Sequence, residues 1–255
     1  ASPINWILFY PIEKYCSRYT DYLITMNRED FNIAKKSMSK DNRIEYIPGV
    51  GIDTYKIKNL HVDRLKKRSE LNIPADGFLI VSVEEINANK NQEIIIKAIA
   101  KLQNPNIYYV ICGQGPLKQY IINLCDKLNI RQNVKILGYR KDIIEILKAS
   151  DVFAFPSKRE GLSVSLMEAM AAGLPVVCSK IRGNVDLIAE GKGGYLIDPT
   201  DINGFAQAIR KLSKSKKLCL NMGEMNEREI SNYDLKVVND IMHDIYALKT
   251  MHHWR

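Results

Sequence analysis

The chain has 255 residues, a net charge of +8, and 46% apolar and 26% charged residues. This composition suits one large globular domain or two small ones and excludes a disordered or fibrous chain. The densest apolar run near the start, Trp6 to Tyr10, is far short of the roughly 20 residues a membrane span needs and lacks the basic leader and cleavage pattern of a signal peptide. Five widely spaced cysteines (16, 112, 125, 178 and 219) read as reduced packing residues and favour a cytoplasmic location.

The positive charge has two readings, a lysine-rich solvated surface or attraction to an anionic ligand or lipid surface. The densest basic cluster, Arg64, Lys66, Lys67 and Arg68 around Leu65, falls on the polar side of a short helix. No aromatic residues alternate with it, which argues against a nucleic-acid partner.

In chain order, residues 1–48 offer a strand at Tyr22–Thr25, a helix at about Arg28–Ser37 and a strand at Ile44–Ile47. These are too few elements to bury a core alone. Pro48-Gly-Val-Gly51 is the best linker candidate. Beyond it, short apolar runs alternate with amphipathic stretches. Strands are expected at 78–83, 107–112, 134–137, 152–155, 175–178 and 195–197, with helices at about 92–102, 116–128 and 142–149 between them. Such alternation implies parallel βαβ units covered on both faces, an α/β, Rossmann-like, doubly wound parallel sheet of about six strands. Three further helices follow, at about 205–213, 216–229 and 235–249. The expected division is an incomplete amino-terminal piece (1–48), a sheet domain (49–232) and a last helix (233–255) crossing back toward the amino-terminal piece.

The most informative stretch is Phe155 to Val177. It reads as a buried strand end, a polar loop with Glu160 and Gly161, and a short helix stopped by Gly173 and Pro175. The loop lies where a strand's carboxyl end meets a helix's amino end, the place where open α/β sheets bind ligands. Free N–H groups at that helix start suit an anion, and Glu160 and Glu168, eight residues apart, suit neighbouring hydroxyls. Glu168 has a structural alternative, because Ser165-Leu-Met-Glu168 fits a capping box with Ser165 as N-cap. Gly113-Gln-Gly115 is unspecific and reads equally as a turn. Trp6, Phe9 and Tyr10 suit packing against the carboxyl-terminal helices or contact with a membrane interface, and His252-His253 makes a poor metal site.

With these motifs in order, the chain resembles the group 1 glycosyltransferases, retaining enzymes of the two-domain GT-B fold that use nucleotide sugars. The resemblance rests on Glu160-Gly161 with Glu168, Ser150 to Ser157, Glu168 to Val177, Ile47 to Asp53, Cys112 to Leu117 and Leu137 to Arg140. Asn89-Lys-Asn-Gln92 and Tyr10 to Tyr15 resemble a subgroup serving bacterial polysaccharide synthesis. The implied roles are Glu160 on the transferred sugar, as the catalytic residue, and the backbone of Leu162, Ser163, Val164 and Ser165 on the diphosphate. Glu168 would hold the ribose hydroxyls, Lys90 the diphosphate, and the backbone at Tyr139 and Arg140 the base. Gly113 and Gly115 would allow close approach of the chain to the nucleotide, and Gly161 of the Glu-Gly loop would stand among the donor-binding residues. The resemblance implies a nucleotide diphosphate sugar, UDP-sugar favoured, as substrate, no cofactor and no metal. It also implies a saccharide or lipid-linked acceptor and peripheral contact with the inner membrane face. The chain would then be the carboxyl-terminal, donor-binding half of a GT-B fold with a remnant of the amino-terminal domain, acting with a separate amino-terminal partner.

Two departures set an alternative beside that reading. Glu84 stands where the family has glycine. A carboxylate about 5 Å from one phosphate charge, at an effective dielectric of about 20, is repelled by roughly 3 kcal/mol, about a hundredfold in affinity. Most of the first domain is also missing. Both favour a catalytically silent nucleotide-sugar-binding module or truncated remnant; a sugar-nucleotide epimerase fits the Glu160–Glu168 text less well.

Overall fold

The structure, a computed structural model, describes residues 3–38 and 43–252, with side chains from residue 7 to residue 247. The chain folds as two compact units, Ala1–Gly51 with Leu235–Arg255, and Ile52–Asp234.

The smaller unit holds a parallel pair, β1 (Tyr22–Thr25) and β2 (Arg43–Tyr46), joined through the helix Arg28–Ser37. Asn27 caps that helix, accepting from Asp30 N at 2.8 Å. The amino-terminal apolar run is part of a helix, Pro3–Cys16, with Pro11 inside it. Periodicity there does not show a helix, because Ile7, Leu8, Phe9 and Ile12 fall all round it rather than on one stripe. All four are exposed, so none of them is a core residue. The side chain of Trp6 and residue His253 lie outside the described residues. No helix among the described residues is long and apolar enough to cross a membrane.

The larger unit is built on six parallel strands: β3 (Phe78–Val83), β4 (Ile107–Cys112), β5 (Val134–Gly138), β6 (Val152–Phe155), β7 (Val176–Ser179) and β8 (Gly194–Ile197). Their spatial order is β5-β4-β3-β6-β7-β8, the doubly wound arrangement whose strand order reverses between its first and fourth strands. Side chains alternate between two cores. Leu79, Val81, Phe153, Phe155, Val176 and Cys178 meet the helices Ile143–Ala149 and Val164–Ala171 on one face. Ile80, Tyr109, Ile111, Val152, Ala154 and Val177 meet the helices Gln92–Leu102 and Ile202–Ser213 on the other. A period of two on strands buried on both faces is what produces the near-continuous apolar runs.

The basic cluster at 64–68 is not uniformly solvated, and that expectation is corrected. Arg68 is 3% exposed and Lys67 8% exposed. Arg68 donates to Asp151 Oδ2 at 2.6 Å and to the carbonyls of Ala149, Ala75 and Gly77 at 2.7–3.0 Å. The same Asp151 oxygen accepts from Leu79 N at 2.7 Å, and Arg64 pairs with the other oxygen. One carboxylate thus ties the start of β3 to the turn before β6. Lys67 meets Glu145 at 2.6 Å, Glu70 at 2.9 Å and Asp142 at 3.0 Å.

Removing one partner of a buried pair leaves an uncompensated charge, which costs about 3–5 kcal/mol. Asp151→Ala is therefore expected to lower unfolding stability by that amount in urea titration, and a loss below about 1 kcal/mol would contradict the role given to Asp151.

Candidate active site

The strand order reverses at β3 and β6, and these two strands pair only at Ile80↔Val152 and Val81↔Phe153. Past that point they no longer pair, and the space outside the carboxyl ends at such a switch point is where open α/β sheets bind ligands. Ser82 Oγ bridges the last step, donating to Ala154 O at 2.6 Å and lying 2.8 Å from Tyr109 Oη.

The loops that leave the two strands are tied together by amides. Asn89 Nδ2 donates to Arg159 O at 2.9 Å, Lys158 N to Asn89 O at 2.8 Å, and Asn91 Nδ2 to Pro156 O at 3.1 Å. Asn87 Oδ1 accepts from the N–H groups of Asn89 and Lys90, both at 3.0 Å. Asn91 has φ 56°, a left-handed conformation that asparagine tolerates better than most residues. The clamp sets Lys90 Nζ 2.6 Å from Glu160 Oε1, with side-chain exposures of 20% and 14%. Lys90 also lies 5.3 Å from the centre of the Phe155 ring.

The helix after Glu160 begins two residues earlier than the capping-box reading requires. Its N-cap is Ser163, whose Oγ accepts from Leu166 N at 3.4 Å; Ser165 is already inside the helix, 3.0 Å from Ser163 Oγ. The alternative role for Glu168, as partner of a Ser165 cap, is overturned. The Glu168 carboxylate is half-buried, has no hydrogen-bond partner among the described residues, and burial raises its pKa. The N–H groups of Val164 and Ser165, at a helix start, have no intrahelical partner.

The glycines separate by cause. A Cβ on Gly113 would lie 1.9 Å from Glu84 O, and one on Gly115 would lie 2.2 Å from Ile86 O. The packing of the loops after β3 and β4 therefore requires both glycines. Gly183, φ 81°, has the same relation to Gly161 O at 1.5 Å, and Arg182 Nε donates to Glu160 O at 3.3 Å. The loop after β7 thus braces the Glu160 loop from below. A Cβ on Gly161 would meet nothing within 4 Å, so internal packing does not require glycine there. Sequence reasoning missed Ser157, Arg182 and Gly183. The signal available was position, since Arg182-Gly183 follows β7 as Glu160-Gly161 follows β6.

On the loop after β5, Tyr139 is 74% exposed. Arg140 is committed to Asp142 through two hydrogen bonds of 2.8 and 2.6 Å, and chiefly through them the Asp142 carboxyl is held at about 2. At Arg140 the backbone, rather than the guanidinium, is left for a ligand.

Glu84 differs most from expectation. It is 8% exposed, its Oε2 accepts from Ser157 Oγ at 3.2 Å, and its Oε1 is buried without a partner among the described residues. Burial raises its carboxyl well above the usual range, although Lys90 opposes the shift. Burial disfavours the charge that the expected repulsion between Glu84 and a phosphate needs.

Residues 63–229 match the family model of glycosyl transferases group 1. The putative glycosyltransferase EpsD of Bacillus subtilis (strain 168) is 33% identical over 246 residues, which are 95% of this chain and 65% of that protein. The UDP-Gal:alpha-D-GlcNAc-diphosphoundecaprenol alpha-1,3-galactosyltransferase of Escherichia coli is 29% identical over 92% of this chain and 62% of its own length. The crystal structure of Anabaena Alr3699/HepE in complex with UDP superposes with a TM-score of 0.84 at 22% identity, covering 91% of this chain and 65% of that one. The chain therefore spans somewhat less than two thirds of the proteins it matches. By its family match and its doubly wound sheet, it belongs to the group 1 glycosyl transferases, with the sheet domain of a GT-B fold.

Proposed function

We propose that this chain is the donor-binding portion of a retaining glycosyltransferase that moves a hexose from a UDP-sugar to a saccharide or lipid-linked acceptor. The observation that carries this reading is the placing of Lys90 against Glu160 across the switch point, in front of a helix start with open N–H groups. Lys90 supplies a point charge for the diphosphate, and the backbone of Leu162, Ser163, Val164 and Ser165 supplies donors for its oxygens. Glu168, without a partner among the described residues, accepts from the ribose diol, and Glu160 accepts from sugar hydroxyls near the reacting carbon. The backbone at Tyr139 and Arg140 meets the base. Gly161 keeps the loop free of a side chain where the ligand lies, whereas Gly113 shapes the site by letting two loops touch.

The chemistry assigned to these residues is positioning and charge stabilisation as the bond between the sugar and the diphosphate breaks. The departing diphosphate oxygen takes the acceptor proton on the same face, so the anomeric configuration is retained. The E. coli relative, by its name, uses UDP-Gal and a diphosphoundecaprenol-linked acceptor, which supports a UDP-sugar and an acceptor at the inner membrane face. The burial of Glu84, which disfavours its charge, weakens one argument for a silent module.

Calorimetry against UDP-, GDP- and ADP-sugars tests the donor assignment. Micromolar binding of a UDP-sugar is expected, with Lys90→Ala weakening it by at least about tenfold, the loss of one charge-assisted hydrogen bond. Failure of all three nucleotide classes to bind would sink the assignment. For the full reaction, nuclear magnetic resonance of the product is expected to show the donor's anomeric configuration, and an inverted anomer would overturn retention.

Gly161→Ala separates ligand from packing. The variant is expected to unfold within about 0.5 kcal/mol of the wild type yet to bind the UDP-sugar more weakly. Gly113→Ala is expected to lose stability first. Equal loss of stability in the two variants would remove the case for Gly161 as a ligand-facing glycine.

A further inference from the structure

Lys90 and Glu160 form the pair described above, and Glu84, just after β3, is hydrogen-bonded through Oε2 to Ser157, three residues before Glu160. The groups facing Glu84 come from every element around it. Lys90 and Gln92 follow β3, Tyr109 lies on β4, and Ser157 and Glu160 follow β6. Gln92 gives its amide hydrogen to Glu85 O at 2.8 Å, and Tyr109 is engaged with Ser82. Lys90 is the one cation among these groups, and Glu160 already holds it. An ionised Glu84 would therefore be a second carboxylate competing for one ammonium, and the cluster would change from neutral to net negative.

We propose that Glu84 is a positioning residue for the donor site: as an uncharged acid it leaves the Lys90–Glu160 pair intact and Lys90 available to an anion, and its ionisation weakens anion binding. Glu84 touches no ligand, since both its oxygens are turned inside; it acts through Lys90. Burial and Glu160 favour the uncharged form, while Lys90, the Ser157 hydroxyl and Gln92 favour the charged one, so the balance lies within this chain and requires no effector. The inference rests on the donor-binding reading above.

The test is calorimetry with UDP from about pH 6 to about pH 9, a range in which buried glutamates ionise, on wild type, Glu84→Gln and Ser157→Ala. Wild-type affinity is expected to fall as pH rises, and to fall roughly tenfold more than that of Glu84→Gln. That is about the loss of one charge-assisted hydrogen bond from Lys90 to the anion. Ser157→Ala removes a donor that stabilises the ionised form, so its affinity is expected to fall at a higher pH than that of the wild type. A purely structural role for Ser157 would not move that midpoint. Parallel pH profiles in wild type and Glu84→Gln would overturn this inference and leave the donor reading standing. Absence of UDP binding in all three proteins at every pH would overturn both.

Discussion

The hydrogen bonds between the loop after β3 and the loop after β6 are what the rest of the site depends on. These two strands are where the order reverses, so their helices go to opposite faces and backbone pairing stops at Val81↔Phe153. Without a substitute for the missing ladder, each loop would be free to choose its own position. Asn87, Asn89 and Asn91 supply that substitute, with side-chain amides bonding backbone groups of their own loop and of the opposite one. Short amides suit the task because they both donate and accept and because asparagine tolerates left-handed backbone. The pairing of Lys90 with Glu160 follows from the clamp rather than from the attraction of two flexible chains. The ordering cost that makes many surface ion pairs worthless is met by the clamp before any ligand arrives.

The two ends of β3 and β6 handle buried polar groups in opposite ways. At the amino ends, Arg68 reaches Asp151 and three carbonyls, and Asp151 reaches Leu79 N. Such a network satisfies its members and specifies a unique packing. At the carboxyl ends, Glu84 Oε1 is buried without a partner and Glu168 is half-buried without one among the described residues. Buried polar groups are almost always paired, and exceptions call for an explanation. Here the exceptions gather at the end of the sheet where doubly wound folds bind ligands.

The sheet was legible in the sequence because strands buried on both faces must be apolar nearly throughout, and turn residues mark their ends. Glu160 and Glu168 were legible because a strand-to-helix junction fixes their neighbourhood. What was not legible depends on contacts between distant segments. The helix Pro3–Cys16 carries apolar residues all round and Pro11 inside it, so neither period nor propensity marks it. The capping residue depended on a difference of two positions, and both Ser163 and Ser165 are chemically able to cap. Lys67 and Arg68 sit in a run of charges that looks solvated. Only the fold brings Asp142, Glu145 and Asp151 to them. Arg182 and Gly183 brace the Glu160 loop from the next strand over, a relation that exists only once β6 and β7 are neighbours.

Glu84 shows why a charged residue cannot be read as a charge from sequence. In water its carboxylate beside a phosphate is a repulsive pair, and Coulomb's law gives a penalty large enough to doubt the site. Buried, with Oε1 unpartnered among the described residues, the same group loses hydration, which favours the protonated form. The sign of its effect then reverses. An uncharged Glu84 does not oppose the donor, and it leaves Lys90 with a single carboxylate partner rather than two. A diphosphate entering the site has only Glu160 to compete with for that lysine, and Glu160 is the group whose release toward the sugar the proposed chemistry requires.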